Sequence, residues 1–516
     1  MADSQIKQVA VIGAGAMGRG IAQLMLQSGL SVALFDLNRD MLSDAQTTVF
    51  SMLDKLVAKG KLSEQIAADA RHNLSLHSAD DFSPCSRADL VVEAIVERLE
   101  VKQTLFTSLE AIVSENCILA SNTSSLSVTG IASVCEHPER VAGLHFFNPV
   151  PIMKLVEVIG GQRTASAVTD TLSKLVTSLG HVPVVVADMP GFLVNHAGRA
   201  YSTEALQLLL ESVTTTREID RILKAQAGFK MGPFELFDLT GLDVSHAVTE
   251  SVFNQYYHEP RYRPSPLAAK RVEANLLGRK TKEGFYTYPR DTNDAVVRTD
   301  VPDTLPNSVW LDPSCQQWGE EFVATLHTLC DKAGVSVETT DTPSSDALCL
   351  CAPLGKDTTT SATDAGLDAT KVVAVDGLFG LSAHRVVMIS PATSGEYRDF
   401  AHALLSHGGY PVSVLNDSLG FVSQRVLAAM VNLACEIAQQ GIAQPADIDK
   451  AVTLGLGYPK GPLDWGNELG PQRVLTVLEN LQQLTGDMRY RPSQYLRRRV
   501  ALGMSLSDSG TRASQA

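Results

Sequence analysis

Residues 8–36 read QVAVIGAGAMGRGIAQLMLQSGLSVALFD, and this stretch decides the fold. QVAVIG is a short run, apolar after Gln8, of the kind buried in a parallel sheet. Gly13, Gly15 and Gly18 follow within G-A-G-A-M-G, and RGIAQLMLQSG continues at helical spacing. SVALFD is a second buried run and ends in the acid Asp36. Strand, glycine turn, helix, strand and acid in this order form the dinucleotide fingerprint in the context it requires. Gly13 permits the tight turn, Gly15 lets backbone approach a pyrophosphate at the helix N-terminus, and Gly18 lets helix pack on strand. Ala14, Ala16 and Met17 complete the loop. Asp36 suits the ribose hydroxyls of NAD and repels a 2′-phosphate, while Arg39 close by keeps NADP in view.

Working outward, the apolar runs continue to residue 187. ADLVVEAIVE (88–97) and CILASNTSS (117–125) read as strands, each leaving polar residues at its end. Glu97 and Lys102 lie just beyond the first, where open α/β sheets place ligands. Asn122 to Ser125 end the second, either as ligand contacts or as an N-cap for the next helix. RVAGLHFFNP, KLVEVIG and HVPVVVAD extend the sheet. His145 and Glu157 stand twelve positions apart in two neighbouring apolar runs. A buried carboxylate without a partner is costly, so the two are expected to satisfy each other as a proton-moving pair. A lone core histidine is the blander alternative. Lys55, Lys59 and Lys61 form either a solvated face or a patch that attracts a ligand phosphate.

From residue 188 the strand pattern stops and long helical periodicity begins. Pro190 and Gly191 suit the entry to a domain, and Asn195 follows one turn later. GRKTKEGFYTY (278–288) closes this unit with a basic loop, in which Lys280 either reaches the cofactor or is solvated. The helical unit then recurs. PGFLVNHAGRAYSTEALQLL resembles LGFVSQRVLAAMVNLACEIA from position 419. Asp220 matches Asp449, and Gly232-Pro233 matches Gly461-Pro462, at one offset of 229 residues. RYRP stands at 261–264 and again at 489–492. Between the copies, DALCLCAP echoes ADLVVEAI, and RVVMIS…VSVLND echoes the run from RVAGLHFFNP to VVVAD. No glycine fingerprint opens that region, and Ile389 or Ser390 stands about where the histidine would be. The fold expected is therefore an α/β Rossmann-type domain (1–187), an all-α domain (188–290), a degenerate Rossmann-like domain (291–412) of structural role, and a second all-α domain (413–516).

The bulk numbers agree with several soluble domains: 516 residues, 44% hydrophobic and 19% charged. A net charge of −14 argues against nucleic acid as the main partner. The eight cysteines are scattered without a C-x-x-C pair, so neither a metal site nor a disulfide framework is expected. No apolar window approaches twenty residues and no leader pattern opens the chain, so the expectation is a cytoplasmic protein without a membrane partner.

Together VIGAGAMGRGIAQ, VVEAIVE, ILASNTSSL, GLHFFNPVPIMKLVEVI and GRKTKEGFY resemble the NAD-dependent 3-hydroxyacyl-CoA dehydrogenase family over residues 5–290. The second helical copy resembles the family's C-terminal domain more loosely. The resemblance implies an enzyme with NAD as cofactor and an acyl-CoA substrate. His145 would be the catalytic base and Glu157 its partner. Ser124 would contact the substrate hydroxyl, and Asn195 would line the site. Cofactor contacts would come from the glycine loop, Asp36, Glu97, Lys102, Asn148 and Lys280, with Lys59 approaching CoA. The doubled layout looks like the branch acting on 3-hydroxyadipyl-CoA in bacterial phenylacetate breakdown. The alternatives are a general or short-chain (3-hydroxybutyryl-CoA) enzyme of fatty-acid metabolism, and an NAD-binding structural protein without turnover. The two helical copies are expected to pack on each other within one chain, with homo-oligomerisation open.

Overall fold

The computed structural model describes residues 6–289 and 301–511. The boundary expected between 290 and 291 lies outside the described residues. The chain divides into two compact units, residues 1–196 with 440–457, and residues 197–439 with 458–516. This division does not follow the sequence-expected domain borders, because a piece of the second helical copy joins the first unit.

The first unit is an eight-stranded sheet of β1 (Gln8–Ile12), β2 (Ser31–Asp36), β3 (Leu74–Ser78), β4 (Leu90–Glu93), β5 (Ile118–Ser121), β6 (Val141–Phe146), β7 (Leu155–Gly160) and β8 (Val182–Ala187). The strand order is β3-β2-β1-β4-β5-β6-β7-β8, and only β6 and β7 pair antiparallel. Val9, Val11, Leu34, Leu90 and Val92 belong to one of its two cores, and Ala10, Ile12, Phe35, Val91 and Leu119 to the other, one on each face. Near-continuous apolar runs thus mark strands covered on both sides.

The second unit holds a six-stranded sheet: β9 (Ser308–Leu311), β10 (Ser336–Glu338), β11 (Leu348–Cys351), β12 (Val372–Val375), β13 (Arg385–Ile389) and β14 (Val412–Leu415), in order β10-β9-β11-β12-β13-β14. Here the antiparallel pair is β12 with β13, and β13 runs parallel to β14. β13 therefore occupies the place of β7, not that of the histidine strand β6, which corrects the sequence expectation. At the 229-residue offset Glu157 corresponds to Val386, and the backbone N–H of Asp376 donates to the Val386 carbonyl across the ladder. Asp376, not Ile389 or Ser390, thus stands at the histidine position. β11 likewise replaces β5, not β4. Asp417 accepts from the N–H groups of Thr358 and Thr359 after β11, as Asp188 does from Val128 and Thr129 after β5. Apolar runs of equal length carry no mark of which neighbour they pair with, so strand identity was not readable from them. In place of a glycine turn, β9 leads into the turn Pro313–Trp318. The Trp318 indole N–H donates to the Ala352 carbonyl at 2.8 Å, and a Cβ on Gly377 would lie 2.5 Å from its ring. That side chain fills the carboxyl edge of β11 and β12.

The two helical copies pack on one another within this unit. Helix Arg199–Leu210 lies against helix Val422–Gln439. Between them Arg425 is buried and donates to Glu204 Oε1 at 2.8 Å and to the Tyr490 hydroxyl at 2.8 Å. The two RYRP copies meet reciprocally: Arg263 reaches Asp487 at 3.1 Å, and Arg491 reaches Glu259 at 3.5 Å.

None of the eight cysteines forms a disulfide, and seven are buried. Burial pushes Cys85 and Cys117 up to about 12, and Cys135, the half-exposed one, up to about 11. At pH 8 such a thiol is thiolate in only about one molecule in a thousand for Cys135 and about one in ten thousand for Cys85 and Cys117. Iodoacetamide is therefore expected to label the native chain slowly, Cys135 first, and all eight cysteines only after unfolding. Mass spectrometry that found several modified cysteines within minutes at pH 8 would contradict this burial. Among the described residues, no helix is long and apolar enough to cross a membrane.

Candidate active site

The glycine turn follows β1. Gly13 has φ +108°, and a Cβ there would lie 2.5 Å from the Ala94 carbonyl. A Cβ on Gly18 would lie 1.7 Å from the Gly13 carbonyl, so only glycine admits this helix–turn contact. Gly15 differs: a Cβ there would meet nothing within 4 Å. Protein packing does not require that glycine, so its open face is the one left for a ligand's phosphates, at the start of helix Ala16–Gln27. Asp36 accepts from Ala14 N–H at 2.8 Å and from Asn38 N–H at 2.9 Å, which sets its carboxylate beside the turn. These residues fit NAD.

At the carboxyl ends of β4 to β6 the second part of the site assembles. His145 and Glu157 are direct cross-strand partners of the β6–β7 ladder, and His145 Nδ1 lies 2.6 Å from Glu157 Oε2. Residues directly opposite in an antiparallel pair bring side chains into contact, so the twelve-residue spacing is that of one hairpin. Both are buried, His145 to 6% and Glu157 to 1% exposure. A carboxylate so enclosed needs donors, and Glu157 Oε1 receives two more, Leu193 N–H at 3.0 Å and Val194 N–H at 2.8 Å. The segment that delivers them turns through Gly191 and Phe192, at φ +77° and +47°. Held this way, Glu157 accepts from the Nδ1–H and leaves Nε2 of His145 as the basic nitrogen. The rings of Phe147 and Phe192 stand 4.4 and 6.1 Å from the imidazole.

Asn122 ties the loop after β5 to this pair by accepting from Phe146 N–H at 2.8 Å. In that loop Ser124 is exposed, with its hydroxyl 3.3 Å from Glu97 Oε1. Glu97 also accepts from Thr123, Ser124 N–H and Ser125. Burial opposes its charge, but the Thr123 hydroxyl and the Lys102 ammonium outweigh it and hold Glu97 below the usual carboxylate range. Lys102, expected at the cofactor, is instead 1% exposed, between Glu93 at 2.5 Å and Glu97 at 3.2 Å. Its length lets a residue nine positions past Glu93 fold back under the rim. Asn148 is exposed just past β6, and Asn195 is half-buried in the short helix Val194–Ala197. Lys59 is exposed at the end of helix Arg39–Ala58. Lys280 belongs to the second unit, where its ammonium meets Asp243. Sequence reasoning missed Asn122 as a tether, the two phenylalanine rings, and the amides of Leu193 and Val194; a backbone donor leaves no signature in side-chain chemistry. Among the described residues no three or more His, Cys, Asp or Glu gather as a metal site.

A glycine turn with an acid beside it and a carboxylate-held histidine on the same sheet edge define an NAD-dependent dehydrogenase with a Rossmann fold. Residues 8–189 match the 3-hydroxyacyl-CoA dehydrogenase NAD binding domain, and residues 191–288 and 420–513 both match that family's C-terminal domain. The chain is 37% identical to the 3-hydroxyadipyl-CoA dehydrogenase of Escherichia coli, over 96% of its length and 98% of the relative's. It is 41% identical to the 3-hydroxybutyryl-CoA dehydrogenase of Clostridioides difficile, over 54% of its own length and 99% of that protein. The crystal structure of a 3-hydroxybutyryl-CoA dehydrogenase from Escherichia coli K12 superposes with a TM-score of 0.82 at 36% identity, covering 96% of this chain and 99% of the other. The protein belongs to the 3-hydroxyacyl-CoA dehydrogenase family. It is an NAD-dependent oxidoreductase.

Proposed function

We propose that the enzyme oxidises a (3S)-3-hydroxyacyl-CoA to the 3-oxoacyl-CoA with His145 as general base, and that 3-hydroxyadipyl-CoA is the preferred substrate. The 2.6 Å contact of His145 with a Glu157 that also receives two backbone N–H groups carries the first part. Nε2 of His145 takes the hydroxyl proton as the C3–H bond breaks. Glu157 stabilises the imidazolium that forms and keeps the ring in one orientation. Ser124 and Asn195 hold the substrate oxygens, and Lys59 meets the CoA phosphates. Bound NAD+ supplies the hydride acceptor. Residues 13–18, Asp36, Glu97 and Asn148 contact it, and Lys102 acts through Glu97. The chain works in the cytoplasm.

The doubled layout supports the adipyl substrate: the near-full-length relative carries that name, whereas the 3-hydroxybutyryl-CoA relative from Clostridioides difficile matches only half of this chain. The short-chain reading keeps one observation in its favour: the crystal structure that matches over nearly the full length is of a protein named for 3-hydroxybutyryl-CoA. Steady-state NAD reduction on both thioesters separates the two. A kcat/KM at least about tenfold higher on 3-hydroxyadipyl-CoA is expected, and equal or reversed preference would hand the protein to short-chain metabolism.

A further inference from the structure

The first unit contains a piece of chain that the glycine motif does not explain. Residues 440–457 leave the second helical copy and pack on the edge of the catalytic sheet. Helix Pro445–Leu456 lies on β7 and β8 and buries Ile448, Ala451 and Val452. The carbonyl of Ile442 accepts from Ala187 N–H at 2.9 Å, at the last residue of β8. Gly455 faces Leu155 and Val194 so closely that a Cβ would lie 2.9 Å from Leu155 Cδ2 and 3.1 Å from Val194 Cγ2. Residues 187–194 are thus gripped at both ends by one foreign segment. Those are the residues that swing the Leu193 and Val194 amides onto Glu157, and Leu155 stands two positions before Glu157 on its own strand.

The repeat supplies an internal comparison. At the 229-residue offset, Gly455 corresponds to Gln226, Leu155 to His384 and Val194 to Ser423. In the second unit Gln226 donates to the His384 carbonyl at 3.2 Å and accepts from the Ser423 hydroxyl at 2.6 Å. The same three-way contact is therefore built twice. Beside the sheet that carries Asp376 and Val386 it is polar and uses a long side chain. Beside the sheet that carries His145 and Glu157 it is apolar, and glycine brings the helix in close.

We propose that helix Pro445–Leu456 is a positioning element for the His145–Glu157 pair, supplied by the second helical copy, and that Gly455 is its point of contact. This rests on the reading of His145 as the base. The helix touches no reacting atom. It holds the turn whose amides fix Glu157, and an error of about 1 Å in such a group lowers turnover by roughly 10²-fold.

The test uses the full chain and 3-hydroxyadipyl-CoA, with 3-hydroxybutyryl-CoA beside it. Gly455→Val forces Leu155 and Val194 aside. Expected are a kcat about 10²-fold lower, a KM within a factor of about two, and unchanged NAD affinity by fluorescence titration, because the glycine turn is untouched. Gly455→Ala, whose single added carbon meets the mobile end of Leu155, gives a smaller loss and remains readable if the valine variant fails to fold. Gly455→Val combined with Leu155→Ala regains most of the lost kcat. Leu454→Gln, at an exposed neighbour on the same helix, changes nothing. Folded valine and alanine variants with wild-type kcat would overturn the proposal. So would a loss of kcat shared equally with NAD affinity and not regained in the double variant. A wild-type protein inactive on both thioesters would instead sink the reading of His145 as the base for these substrates.

Discussion

Replacing Glu157 with glutamine is expected to lower kcat by roughly 10²–10⁴-fold while NAD affinity stays within a few-fold of wild type. The size follows from the hydrogen bonds that the side chain makes. Glu157 Oε1 accepts from Leu193 and Val194 N–H, and Oε2 faces His145 Nδ1. A glutamine must keep its carbonyl toward the two backbone amides, because two N–H groups cannot face an NH₂. Its NH₂ then points at Nδ1. Nδ1 becomes the acceptor, the ring proton moves to Nε2, and the nitrogen that should take the substrate's proton already carries one. Shape and packing hardly change, so the protein is expected to fold and to bind NAD. Stopped-flow measurement of the first turnover distinguishes a slow chemical step from slow product release. Wild-type turnover in this variant would show that His145 is not oriented by Glu157. His145→Gln removes the base outright and is expected to be no more active than Glu157→Gln.

The parts legible in the sequence share a physical feature: they are local or periodic. The glycine turn is local, and two of its glycines, Gly13 and Gly18, stand where a Cβ would strike backbone, as a tight turn packed under a helix requires. The His145–Glu157 contact is long-range in space but lies within one hairpin, and two ionisable groups in two apolar runs have few ways to be satisfied. The doubled helical domain was legible because one offset serves many residues at once. What stayed hidden depends on contacts between distant segments. Lys102 looked like a rim residue because charge and position gave no sign that Glu93, fully buried, needed a cation. β13 was mistaken for the histidine strand because apolar composition does not encode pairing partners. Nothing in ADIDKAVTLGLG announces that this helix packs on strands roughly three hundred residues earlier; its only trace is a glycine where the first copy has Gln226.

A chain ending at residue 289 is expected to yield no soluble, active protein, although relatives of about that length exist. The first loss is electrostatic. Glu204 is 1% exposed and takes its hydrogen bonds from Arg425 and Tyr490, both beyond the cut. Removing the partner of a buried charge costs about 3–5 kcal/mol, a large fraction of a domain's stability. The second loss is apolar, since helix Arg199–Leu210 would give up the long buried face of helix Val422–Gln439 and expose its own. Dimerisation of the fragment could cover the apolar face with the equivalent helix, but it does not restore the pairing of Glu204. At the 229-residue offset the partner facing Glu204 in place of Arg425 would be His196, a shorter group with one ring to offer. The helix offered to the catalytic edge would be Thr216–Ala227, which carries Gln226 where Gly455 now sits against Leu155 and Val194. Size-exclusion chromatography with an NAD-reduction assay decides the matter. Aggregated or inactive fragment is the expected result. A fragment that runs as a stable dimer with wild-type kcat would mean that the second half is a passenger, because neither Arg425 at Glu204 nor Gly455 at the catalytic edge would then carry catalytic weight.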